Sequence, residues 1–439
     1  MSDFKDINKN YLEDLVPFLN SYKWMFKTLN TQYINEDVII ENKCFLESLN
    51  HPDLNNFPEL SESRNNFPKF LKEFIEHVNR FKIFYDILET DSWKITPIKK
   101  MSIKKQYEIE NVSKVIYSVC GDKVTQLIDF GCGVGYLAQY MFDKFNYKVL
   151  GLEYEEDRVL KARERQEKYF PNSKGCVKFE QHFITMNSAN FLINQFEGNE
   201  MPLAIFGLHG CGDLTITAIK LFLDIERVNK LIFIPCCYHK MTPKTSDKNE
   251  FNYFPLSHEL KSVLKNYPIF LNRPFLRLAG QQSPAKWKEM SKEDHWTHGK
   301  NMFERALVEA LIKQDETTKR INNISIPENR VTMNDIIMKY QLLEKTSGRS
   351  KEWSDEHKER FKNLRQKYPN GEELSENLFC FQTTIQNNCE NLVLIDRIRY
   401  IEEIGKLRNL NLNISVKKLQ NDKLSPRCLI LIVEKEFHS

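Results

Sequence analysis

Residues 124–153 read VTQLIDFGCGVGYLAQYMFDKFNYKVLGLE, and this stretch decides the fold. Val124 to Phe130 is a short apolar run rich in β-formers, which predicts a buried strand. Asp129 stands near its end, and three glycines then fall at alternate positions, Gly131, Gly133 and Gly135. From Tyr136 the apolar spacing turns helical, with Leu137, Tyr140 and Met141 on one face. Tyr147 to Tyr154 predicts a second strand that ends in an acid, Glu153. Strand, glycine turn, helix and strand together make half of a nucleotide-binding α/β sheet.

A chain passing from strand to helix beneath a ligand needs unusual backbone angles and no Cβ in the way. The helix behind the turn offers unpaired N–H groups. Glu153, at the tip of the neighbouring strand, is placed to accept from ribose hydroxyls. The spacing is D-F-G-C-G-V-G rather than G-x-G-x-x-G. In residues and order this resembles the S-adenosylmethionine site of class I methyltransferases, where there is no pyrophosphate to cradle. The resemblance implies a donor loop of Asp129, Gly131, Gly133, Gly135 and Tyr136, with Glu153 on the ribose. A different Rossmann-like cofactor site, or a decayed one, is the alternative.

At 439 residues the chain is long enough for two or three domains. With 41% hydrophobic and 28% charged residues it reads as globular. No apolar run reaches the length of a membrane span, and MSDFKDINKN has no secretory core, so no membrane is expected. The ten cysteines show no framework spacing, and reduced thiols in a cytoplasmic or nuclear protein are expected. A formal charge of +3 neither implies nor excludes nucleic acid, because patches bind phosphate.

Four segments are expected: an N-terminal helical domain (1–95), the main α/β domain (96–310), a charged helical insert (311–378) and a closing helix with antiparallel strands (379–439). Leu15, Phe18 and Leu19, then Phe70, Leu71, Phe74 and Ile75, form stripes of packed helices, with a loop from His51 to Pro68. A helix follows Met101. Its Lys104, Lys105 and Glu108 read as a solvated face with an ion pair, or as a helix that closes over the donor or touches the substrate. His182, Phe183, Ile184 and Thr185 follow the third strand and supply no acid for an adenine amine. Residues 240–300 interleave Lys244, Arg273, Arg277, Lys286 and Lys288 with Tyr253, Phe254, Phe275, Trp287 and Trp296. They predict either a stacking surface for single-stranded RNA or a lid with its own core.

Two further strands lead into His209-Gly210-Cys211-Gly212-Asp213 and Pro235-Cys236-Cys237-Tyr238-His239. Ligands of open α/β sheets bind outside the carboxyl ends of strands, so both clusters point at the donor edge. In one reading His209 or His239 accepts a proton, Tyr238 stacks on the substrate or shapes its pocket, and Asp213 caps a helix. In another, Cys236 is a covalent nucleophile. In a third, His209, Cys211, Cys236, Cys237 and His239 bind zinc, but adjacent cysteines lack C-x₂₋₄-C spacing and no metal is assigned. Small residues that let two strand ends pack close are the plain alternative.

DFGCGVGYL, GLHGCGDLT, PCCYHKM and LSPRCLILIVEK together resemble the methyltransferase-like protein 25 family, also described as ribosomal RNA adenine dimethylase domain-containing proteins. The resemblance covers about residues 95 to 310 and 380 to 435. It implies an α/β class I methyltransferase: a Rossmann-like seven-stranded sheet with an N-terminal helical domain and a helical insert. It implies S-adenosylmethionine as cofactor, and from the two strand-end clusters His209, Asp213, Cys236, Tyr238 and His239 are expected on the reacting side. Adenine-N6 enzymes follow the fourth strand with an Asn/Asp-Pro-Pro-aromatic motif, and His209-Gly210-Cys211 replaces it here. The expected partner is a macromolecular substrate, RNA ahead of a protein side chain. The rival is a non-catalytic adaptor that binds RNA or protein.

Overall fold

Apolar stripes spread along the whole chain are gathered into two compact units, and neither unit is contiguous. The first holds Met1–Pro17, Phe81–Gln282 and Cys389–Ser439; the second holds Phe18–Arg80 and Ser283–Asn388. The computed structural model describes residues 2–3, 7, 10–49, 54–60, 66–88, 101–122, 124, 126–196, 198, 201–268, 270–281, 284–312, 316–322 and 330–436. Parts of the predicted loop at 51–68 and of the insert at 311–378 lie outside these residues. The units differ from the sequence boundaries drawn at 95, 310 and 378, because a periodic apolar stripe does not name its packing partner.

In the first unit, β1 (Asp86–Leu88), β2 (Gln126–Phe130), β3 (Lys148–Glu153), β4 (Val177–Gln181), β5 (Leu203–Cys211), β6 (Val228–Cys236), β7 (Leu412–Leu419) and β8 (Leu429–Lys435) form one sheet. Their order is β1-β7-β8-β6-β5-β2-β3-β4. β2 pairs parallel with β3 and β5, β3 with β4, and β5 with β6. β8 is antiparallel to both β6 and β7. Seven strands thus make the Rossmann-like sheet with its closing antiparallel pair, and β1 is a short eighth strand parallel to β7. The strand order turns at β2, with β3 on one side and β5 on the other, which puts the ligand crevice at the carboxyl ends of β2 and β5.

All five residues of β2 are buried, as its continuous apolar run requires of a central strand. Leu127, Val149, Phe206, Ile232 and Ile432 from five strands share one core with Leu137 and Met141 of α2 (Tyr136–Phe145) and Ile116 of α1 (Ile103–Cys120). Ser102 caps α1 by accepting from Lys105 N at 3.3 Å, and Gly121 ends it at φ +53°. Glu156 and Asp157 start α3 (Glu156–Tyr169), where acids suit the helix N-terminus. Ile216, Ile219 and Leu223 of α4 (Leu214–Asp224) are buried. The long helix α5 (Gly371–Leu407) continues two residues past the predicted stop at Gly405. Its Leu394, Ile398 and Ile401 are buried in the first unit.

In the second unit Phe381 of α5 takes the rings of Phe45, Phe57 and Phe74, with centroids at 4.7, 5.3 and 5.7 Å. His295 and His298 bind the two oxygens of Glu376, each at 2.6 Å. The segment read as a helical insert also carries a three-stranded antiparallel sheet, Thr317–Ile321, Tyr340–Glu344 and Ser350–Lys351.

Within the first unit Asp396 is fully buried on α5. One oxygen accepts from Leu256 N at 2.8 Å, and the other from Ser257 N at 2.8 Å and Ser257 Oγ at 2.7 Å. Burial pushes its carboxyl up to about 6, against the pull of these donors. Asp396→Ala leaves three buried donors without their acceptor, so urea unfolding is expected to lose at least ~2 kcal/mol. Asp396→Asn, which keeps an acceptor oxygen, is expected to lose less.

Candidate active site

The turn after β2 is built as its glycines demand. Gly131, Gly133 and Gly135 take φ of +72°, +58° and +74°, values that side chains with a Cβ rarely adopt. A Cβ on Gly135 would overlap the Phe179 ring, whereas one on Gly133 would meet nothing within 4 Å. Gly133 therefore faces open space beside the turn. Gly131 N and Cys132 N both donate to Leu152 O, at 2.9 and 3.0 Å, which ties the turn to β3.

Glu153 fastens the same turn with its side chain. Its Oε2 accepts from Gly133 N at 2.9 Å, and its Oε1 from Tyr154 N and Glu155 N at 3.1 and 3.2 Å. Asp129, 3% exposed on the adjoining strand, sits in its field. Burial, then the Glu153 charge, pushes the Asp129 carboxyl up to about 8, and Lys105 opposes the shift. Lys105 Nζ and Arg165 Cζ lie 4.2 and 3.7 Å from the centre of the Tyr136 ring. Tyr154 and Phe183 are 64% and 66% exposed, and their rings meet edge-on at 5.1 Å. They stand at the tips of β3 and β4, on either side of the backbone bond from His182 N to Glu153 O.

β5 and β6 run further than their sequences suggest, to Cys211 and Cys236. A register shift between Gly207 and Gly210 lets Gly210 pair with Pro235 and Cys211 with Cys236. His209 is thereby turned outward, with its Nε2 3.2 Å from Glu108 Oε2. Glu108 is 2% exposed and also accepts from Ser425 Oγ at 2.7 Å. Burial pushes its carboxyl up, but His209, Ser425 and Lys104 more than reverse this and leave it below the ordinary carboxylate value.

Residues 104–244, which carry both the glycine turn and this strand edge, match the family described as Methyltransferase domain. The chain is also similar to the mouse (Mus musculus) protein "Probable methyltransferase-like protein 25", with 32% identity over 90 residues, 18% of this chain and 15% of that one. The human (Homo sapiens) protein of the same name is 31% identical over 80 residues, 18% of this chain and 13% of its own. These matches span less than a sixth of the relatives' length. Among solved structures, the methyltransferase domain of bacterial CtHen1 is 15% identical at a TM-score of 0.23, over 30% of this chain and 65% of that chain. TrmK of M. capricolum in complex with S-adenosyl-homocysteine is 14% identical at the same score, over 30% and 51%. The strand order, not these low scores, carries the fold.

Of the residues expected on the reacting side, His209 alone combines exposure with a buried partner. Tyr238 is completely buried, donates to Glu390 Oε1 at 3.1 Å and lies under Arg397, 5.0 Å from its ring centre. It belongs to the core and does not stack on a substrate. Asp213 does stand at the N-cap of α4, yet its side chain makes no capping bond. Its Oδ2 accepts from Thr242 N instead, at 3.1 Å. His239 is partly buried, and burial followed by the charges of Arg277, Lys240 and Arg273 holds its ring below the usual imidazole value. Cys236 is buried at 3% exposure. Phe254, Phe275 and Trp287 are buried too, so they offer no stacking surface to a nucleobase.

Tyr154 and Phe183 carry no site role in the sequence reading, and Glu108 enters it only with Lys104 and Lys105, as a solvated face or as part of a helix over the donor. Glu108 sits in an unbroken buried run, Gln106 to Ile109, which the solvated-face reading of α1 hides. Tyr154 directly follows Glu153, which is the one local signal for it.

A raised Asp129 value means that the folded chain holds this proton more tightly than the unfolded chain. Its contribution to stability is present at low pH and lost as pH rises toward about 8. Asp129→Asn, which mimics the protonated acid, is expected to gain stability over wild type as pH rises from about 4 to about 8, by at most ~1.4 kcal/mol per pH unit. Thermal unfolding of both proteins across that range measures the difference, and a flat difference would contradict the burial argument.

Proposed function

We propose that this protein is an S-adenosylmethionine-dependent methyltransferase acting on a macromolecular nucleophile that must lose a proton. The observation that carries the reading is the intact donor cradle: Asp129 buried at the strand tip, Gly133 open to the crevice, and Glu153 fixed by three backbone N–H groups. A chain that kept the fold as an adaptor has no need of these groups. The donor set fits the cofactor. Glu153 keeps one lone pair, on Oε2, for a ribose hydroxyl, a Cβ on Gly133 would meet only open space, and Tyr154 and Phe183 supply exposed rings for the adenine.

Bound S-adenosylmethionine supplies an electrophilic methyl group. The residues of this chain then have two tasks, to position the acceptor in line and to take its proton. His209, at the carboxyl end of β5 beside the crevice, is the proton acceptor in this reading. Glu108 fixes the imidazole through Nε2 and stabilises the imidazolium that forms. RNA, the acceptor favoured on sequence grounds, draws no support from the buried aromatics of residues 240–300. A protein acceptor stands equal to it.

Calorimetric titration with S-adenosylhomocysteine is expected to give micromolar binding, about −8 kcal/mol, abolished in Asp129→Ala and Glu153→Ala. Tyr154→Ala and Phe183→Ala are each expected to weaken it about tenfold, as loss of one stacked ring does. Wild-type protein that releases no heat would leave the adaptor as the better account. With binding established, transfer of labelled methyl into RNA and protein fractions identifies the acceptor. His209→Asn and Glu108→Gln are expected to slow that transfer by about a hundredfold or more while S-adenosylhomocysteine binding stays unchanged.

A further inference from the structure

The carboxyl edge of β5 and β6 holds a second constellation that proton transfer does not use. Cys211 and Cys236 stand opposite one another in the ladder, with their Sγ atoms 3.0 Å apart. Cys237 follows in a left-handed conformation, φ 47° and ψ 46°, which few residues other than glycine adopt. All three sulfurs lie within 4.8 Å of one another. The neighbouring turns are locked against each other, since Gly212, at φ +56°, abuts the Lys240 carbonyl so closely that a Cβ would collide with it.

A disulfide would account for two of these thiols and leave the strained third without a purpose. Three sulfurs around one metal ion account for all of them. Zinc–sulfur bonds of about 2.3 Å in a tetrahedron put sulfurs about 3.8 Å apart, inside the span observed. Sulfur-only donors select thiophilic ions over magnesium or calcium.

The charge balance near the edge points the same way. Arg397 is 1% exposed, and its Nε, Nη1 and Nη2 have no hydrogen-bond partner among the described residues. A buried, unpartnered guanidinium is costly unless negative charge lies near. Tyr238 and Asp396 act most on its charge, and Cys236 and Asp213 follow. Three thiolates around a divalent ion carry one net negative charge, which would add to that of Asp396 in offsetting the guanidinium.

We propose that Cys211, Cys236 and Cys237 form a three-thiolate zinc site that clamps the ends of β5 and β6. Each thiol gives up its proton to solvent as its sulfur binds the ion. Among the described residues no His, Asp or Glu joins the group, so the fourth position is filled from outside it. The 25-residue separation of Cys211 from Cys236 hides the site from any spacing rule, and the β5–β6 ladder creates it.

The test is metal analysis of the full chain, purified with a reductant that is not itself a thiol. About one zinc ion per chain is expected, and Cys211→Ser and Cys237→Ser are each expected to weaken retention against a chromophoric chelator at least about tenfold. Cys176→Ser, a half-exposed thiol elsewhere, is expected to keep the ion. Loading wild-type protein with cobalt(II) is expected to give a sulfur-to-metal charge-transfer band, a readout that stands even where a serine variant fails to fold. Zinc-free wild-type protein with no cobalt band under reducing conditions would overturn the proposal. So would a band that survives Cys211→Ser, or a Cys211–Cys236 cross-link in protein that takes up no metal after reduction.

Discussion

Two carboxylates at the tips of adjoining strands set the terms for the first unit. Glu153 is satisfied by three backbone N–H groups, while Asp129 is buried in its field and held toward the neutral form. Such a pair is a poor choice for stability alone, because buried like charges oppose folding. The glycine turn depends on it nonetheless: Gly133 N binds the Glu153 side chain, and Gly131 N and Cys132 N bind the strand that carries it. Shape and charge of the turn are thus determined together.

Lys105 links the two halves of the site. It lies over Tyr136 of the turn, and Glu108 and Asp129 both act on its charge. One turn further along α1, Glu108 holds His209. A single helix therefore faces the turn with a cation and the end of β5 with an anion. Any movement of α1 alters both sides of the crevice at once.

The turn was legible because its information is local. Glycines at positive φ, an apolar strand before them and an acid at the next strand tip leave marks within thirty residues. The strand edge was half legible. His209 and the cysteines stand out by type, but the partners that give them meaning are distant: Glu108 is 101 residues from His209, and Ser425 is 317 residues from Glu108. Tyr238 shows the opposite failure, since a tyrosine after a strand end reads as exposed until Glu390 and Arg397 are seen enclosing it. The two units were illegible for a related reason. Phe74 belongs to a stripe that reads as core, but nothing near it in sequence announces Phe45, Phe57 or Phe381 as its partners.

The position of β8 has a consequence for the birth of the molecule. It lies inside the sheet between β6 and β7, although it is the last of the strands to be made. While a ribosome is still reading the codons before Leu429, the β6 edge has no partner and Leu231, Ile232 and Phe233 have no cover on that side. Domains usually fold as units during synthesis, and open strand edges invite wrong pairings. The nascent chain must therefore carry an unfinished sheet through some two hundred residues of translation, counted from Cys236 to Lys435. That interval is where a holdase chaperone would find its strongest purchase on this protein.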